Sequence, residues 1–139
     1  MSFRFDAVSA ARMVGAVGTA SVDVDSLGTA IAFGSGDLPV FATPRLVALM
    51  EEAACDALSG EIPQDATSVG SHVEVQHLAP SPVGAHVVAR AAIAEVSGAR
   101  VVFDITATHE YRGVVVDIGR GTHTRVVVDR DAFLSGLSA

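Results

Sequence analysis

One segment constrains the fold more than any other. Pro44 to Leu58 reads as a helix whose apolar residues run most of the way round, not along one stripe. Thr43 before Pro44 supplies a start, with the threonine as N-cap and the proline at the first helical position. Ser59-Gly60 supplies the stop, with Gly60 suited to a left-handed C-cap. A helix with so few polar positions requires the rest of the chain to wrap around it.

The rest of the chain offers mainly strands. Thr19 to Val24 alternates, and Thr29 to Phe33 reads as another short strand before the loop Gly34-Ser35-Gly36-Asp37. After Pro63, long strands are expected at Ser68 to His77, Ala85 to Val96, Ala99 to Tyr111 and Val114 to Val128. Tight turns at Ser97-Gly98 and Arg112-Gly113 make the last three a meander of hairpins. Gly119 and Gly121 mark bulges or bends, and Asp129 to Leu137 a short terminal helix. With no repeat and no linker, residues 1–139 are expected to form one α+β domain. A curled antiparallel sheet wrapped around one long central helix, the hot-dog arrangement, is the economical solution. Such a sheet leaves an edge strand open, and an edge-to-edge homodimer would cover it.

Composition narrows the class. Half the residues are hydrophobic, yet there is no Trp, one Tyr and six Phe, so the core must be built from Val, Ala, Leu and Ile. The apolar surplus in so short a chain suits an interface between subunits. A net charge of −7 argues against a nucleic-acid or anionic-membrane partner. The single Cys55 cannot form an internal disulfide, which suits a reducing compartment. Without a signal-peptide pattern or a long apolar run, a soluble cytoplasmic protein is expected.

Glu51 leads the residues that could carry chemistry. It shares a helix face with Val47, Ala54, Cys55 and Leu58. A carboxylate there loses hydration, so it is either satisfied by partners, reaching solvent from the helix, or poised for reaction. Glu52 falls with Asp56 on a more polar side and reads as solvated. Thr43 is explained by capping alone, although the start of a buried helix also suits a developing oxyanion. None of His72, His77, His86, His109 and His123 forms a metal pair, and no metal is expected. His77 stands out because it ends a strand just before Leu78-Ala79-Pro80, where side chains reach clefts. Phosphate-loop, dinucleotide and Gly-x-Ser-x-Gly signatures are absent, and Cys55 reads as inert packing.

Three stretches resemble the fluoroacetyl-CoA thioesterase family of hot-dog proteins. They are Val40-Phe41-Ala42-Thr43-Pro44 through Ala54, Val69-Gly70-Ser71-His72 through Pro80, and Ile118-Gly119-Arg120-Gly121-Thr122-His123-Thr124-Arg125. The resemblance implies hydrolysis of an acyl-CoA to free acid and CoA, with Thr43, Glu51 and His77 as the catalytic set. It implies that Glu51 acts as nucleophile or as base for water, that Thr43 orients its carboxylate, and that His77 moves protons. It also implies substrate contacts from Gly70 and Arg125, and no cofactor beyond the coenzyme A of the substrate. The family's aromatic gate has no counterpart in Gly34 to Phe41, where Asp37 stands at the gating place. A generic short or medium acyl-CoA is therefore expected in place of fluoroacetyl-CoA.

Two rival readings compete with hydrolysis. Hydration of enoyl-CoA would need an Asp-x-Asn-Pro-x-His segment, which the chain lacks. A non-catalytic acyl-CoA or small-ligand binding protein of the same fold is the other, although binding alone would not require Thr43, Glu51 and His77 together.

Overall fold

The computed structural model describes residues 2–138. The long helix, α3 (Thr43–Leu58), follows α1 (Ala7–Met13), β1 (Val17–Asp23), a one-turn 3-10 helix (Ser26–Gly28) and α2 (Ala30–Phe33). Four strands then run in succession: β2 (Ala66–His77), β3 (His86–Ser97), β4 (Arg100–Tyr111) and β5 (Val114–Asp129), with α4 (Arg130–Gly136) last. All five strands pair antiparallel in one sheet of order β1-β3-β4-β5-β2. This is the sheet-on-helix plan that an apolar helix of this girth requires, with the β3-β4-β5 meander turning at Gly98 and at Arg112-Gly113. Those turn residues have positive φ (64°, 50° and 78°) that suits a tight hairpin.

The helix lies on the sheet's inner face through Leu46, Leu49, Met50, Ala53, Ala57 and Leu58, all buried. Val87, Ala89, Ala91, Val101, Phe103, Ile105 and Ile118 meet it from the strands. The closest approach is over β1. A methyl group at Gly18 would overlap the backbone of Ala53 and Ala57, so only glycine lets the helix sit there. Asp56 Oδ2 then accepts from the Thr19 amide of that edge strand at 2.9 Å, tying helix to sheet.

Three expectations need correction, and one helix was unforeseen. Thr29 to Phe33 is not a strand: Thr29 Oγ1 accepts from the Ala32 amide at 3.3 Å and caps the short helix α2, which Gly34 ends in a left-handed conformation. Thr43 does not cap α3; the N-cap is Ala42, without a side-chain hydrogen bond, and Pro44 occupies the first turn. Cys55 is exposed and takes no part in the packing. Helix α1, started by Asp6 accepting from the Ser9 amide at 2.8 Å, was not expected from the sequence.

A bulge in β2 decides which of its residues face the helix. The register against β5 slips between Gly70 and His72, leaving Ser71 extra. Ser68 and Gly70 face inward before it, and Val75 and His77 face inward after it. A second slip, opposite Ala107 and Thr108, leaves Ile118 extra beside Gly119.

Candidate active site

Two clusters lie along one side of α3. The first is at its N-terminus. Freed from capping, the Thr43 hydroxyl sits 2.7 Å from His77 Nδ1. His77 Nε2 is buried and has no hydrogen-bond partner. Burial lowers the pKa of this histidine below its ordinary 6.5, which favours the neutral ring at pH 7. The pair lines a cavity of about 300 Å³ with Ala30, Ser35, Val40 and Leu78.

The second cluster surrounds Glu51, two turns further along. Arg125 Nη1 donates to Glu51 Oε2 at 3.1 Å. The guanidinium is itself fixed by Ser68, whose hydroxyl accepts from Nε at 2.8 Å and whose carbonyl accepts from Nη2 at 3.1 Å. His123 Nε2 lies 3.2 Å from Arg125 Nη1 and 3.9 Å from Glu51 Oε2. The Arg125 side chain is 8% exposed and Glu51 40%, so the arginine is walled in while the carboxylate keeps an open side. An ion pair this accessible adds at most about 1 kcal/mol to stability; its effect is on orientation. Gly70 lies against the carboxylate: a methyl group there would come within 2.8 Å of Glu51 Oε2.

The structure therefore joins Thr43 to His77, and Glu51 to Gly70 and Arg125. It does not join the two sets within one chain. Thr43 and Glu51 are eight residues apart on the helix, about 12 Å of axial rise. Within one chain Thr43 consequently bonds His77 and does not reach the Glu51 carboxylate. His123 and Ser68 were not singled out as site residues. The alternation of β5 was the available signal for His123, because positions 123 and 125 share a face.

Among the described residues no group of His, Cys, Asp and Glu could hold a metal ion. Nor, among the described residues, is any helix long and apolar enough to cross a membrane.

Sequence and structure comparisons find similar proteins. A family model described as "FlK: Fluoroacetyl-CoA-specific thioesterase" matches residues 24–131, a span containing both clusters. The fluoroacetyl-CoA thioesterase of Streptantibioticus cattleyicolor is 35% identical over 94 residues. That alignment covers 68% of this chain and 65% of the relative, so the chain matches just under two thirds of the relative's length. A crystal structure of an FlK variant in complex with fluoroacetate and CoA is 30% identical, with a TM-score of 0.75 over 86% of this chain and 98% of that one. A hot-dog-like protein from Thermanaerovibrio acidaminovorans gives a TM-score of 0.78 at 25% identity, covering 89% of each chain.

Proposed function

Because the chain belongs to the fluoroacetyl-CoA-specific thioesterase family, we propose that it hydrolyses a short acyl-CoA thioester to the free acid and coenzyme A. The observation that carries this reading is the state of the two reactive groups. Arg125 engages one oxygen of Glu51 and leaves the other open, and His77 Nε2 is buried with nothing to bond. Glu51 acts at the thioester carbonyl by one of two routes. It deprotonates a water that attacks and gives the acid directly, or it attacks the carbonyl itself and forms an anhydride that water then hydrolyses to the acid and free Glu51. As the C–S bond breaks, the electron pair goes to sulfur, which accepts a hydrogen bond from Nε2–H of the neutral His77 and takes up the proton released by the attacking water. Thr43 holds the imidazole. A cavity of about 300 Å³ suits a short acyl group better than a long one. The exposed Asp37 in the preceding loop supports a generic acyl group over fluoroacetyl.

The two clusters also support a homodimer. Strand β2 is an edge of the sheet, and Val73 on it is 40% exposed. Antiparallel pairing of two copies of β2 about a two-fold axis near Val73 brings the Gly70 end of one strand toward the His77 end of its partner. The Glu51 cluster of one subunit then faces the Thr43–His77 pair of the other, and the site is complete only between copies.

Thiol release from a panel of acyl-CoAs, from acetyl and fluoroacetyl through branched to long chains, tests the proposal. Turnover concentrated among short acyl groups supports it. Binding without turnover across the panel would leave a ligand-binding protein instead.

A further inference from the structure

We propose that His123 is a positioning residue that fixes the Glu51 carboxylate by acting through Arg125. The inference rests on the reading that Glu51 carries the chemistry. The ring is 2% exposed and stacked on Phe103, with centroids 6.1 Å apart and planes inclined by 28°. Its Nδ1–H donates to the His72 carbonyl at 2.7 Å. That bond settles the tautomer: with the proton on Nδ1, Nε2 carries a lone pair and accepts from Arg125 Nη1 at 3.2 Å. Nη1 has two protons, and both are now used, one toward His123 and one toward Glu51 Oε2. Ser68 takes donors from Nε and Nη2 on the other side of the guanidinium.

Without an acceptor at His123, one proton of Nη1 would be buried without a partner. The guanidinium would rotate to satisfy it and carry Oε2 of Glu51 with it. The bulge at Ser71 makes the arrangement possible, because it presents the His72 carbonyl next to the inward-facing Gly70. The charged and titratable groups facing the ring are Glu51 from α3, Arg125 on its own strand and His72 from β2; Phe103 from β4 is apolar. Protonation of Nε2 would set an N–H against Arg125 and undo the fork.

The test compares His123→Leu, which keeps the packing on Phe103, with His123→Gln, which keeps an acceptor within reach of Arg125. For thiol release from the best substrate of the panel, the leucine variant should lose about 10- to 100-fold in kcat. Its KM should stay close to that of the unaltered protein, because binding is not what is lost. The glutamine variant should recover most of the rate. Wild-type kcat in the leucine variant, or equal loss in both at unchanged melting temperature, would overturn the proposal. Long-range 1H–15N spectra of the unaltered protein give a readout that needs no turnover: an Nδ1–H tautomer at position 123 is expected, and an Nε2–H tautomer would contradict it. Glu51→Gln, measured alongside, separates the two levels. If it stays active, the reading of Glu51 is wrong; if it is inactive while His123→Leu is not, only the positioning role fails.

Discussion

The Thr43 hydroxyl lies 2.7 Å from His77 Nδ1, and this bond takes the place of the helix cap that Thr43 would otherwise make. The consequence is a split between stability and activity. An N-cap threonine replaced by alanine costs about 0.5–2 kcal/mol of stability. Here Thr43→Ala should move the melting temperature little and lower kcat by about 100-fold, with Thr43→Ser restoring most of it. A large stability loss with unchanged kcat would return Thr43 to a capping role.

Gly70 makes a similar separation on the second cluster. Its missing side chain leaves room for Glu51 Oε2, which a methyl group would approach to 2.8 Å. The strand there is exposed at the sheet's edge, so Gly70→Ala should fold normally and lose activity through displacement of the carboxylate. Gly18→Ala is the contrast, because its methyl group would strike the backbone of α3. That variant should be destabilised by several kcal/mol, or fail to fold, as judged by denaturant titration.

Half-buried His77 and buried His123 predict how stability follows pH. Desolvation is the leading cause that lowers the pKa of both His77 and His123 below 6.5. In the unfolded chain each takes up its proton near 6.5, so the unfolded state binds more protons as the pH falls below that value. Stability is therefore full above about pH 6.5 and declines toward the lower folded-state values. Melting temperatures measured from pH 7.5 to 5 should fall, and His123→Gln should flatten the decline. A rise on acidification would contradict the burial of neutral rings.

Much of the fold was legible because local signals agreed with the packing. The apolar girth of α3 required a wrapping sheet, and glycines at 98 and 113 marked the hairpins that build it. Helix α2 was misread because a run as short as Ala30 to Phe33 carries no usable periodicity; its identity comes from Thr29 and Gly34 at its ends. The site was legible as residue types but not as an arrangement. On a regular strand Gly70 and His77, seven apart, would face opposite sides. Only the extra Ser71 turns both inward, and no residue there announces a bulge. The hydroxyl of Thr43 posed the same difficulty, since threonine before proline fits a cap equally well. His123 was hidden because its role depends on the His72 carbonyl, a backbone group to which side-chain identity gives no clue.

If the site forms between subunits, two inactive proteins should rescue each other. His77→Ala and Glu51→Gln each damage both sites of their own homodimer. In a mixed dimer, Glu51 of one subunit faces the partner's His77, and one of the two sites is intact. Subunit exchange to a random mixture should restore about a quarter of full activity. Proven mixed dimers without recovered turnover would place both clusters' work within a single chain.

The most direct test of thioester hydrolysis through Glu51 is thiol release by Glu51→Gln, beside the unaltered protein, with binding of the same acyl-CoA measured in parallel. The substitution keeps the side chain's shape and removes the carboxylate's basicity and nucleophilicity. The predicted result is loss of turnover by at least about 1,000-fold with acyl-CoA binding retained. Hydrolysis that survives the change would contradict the account.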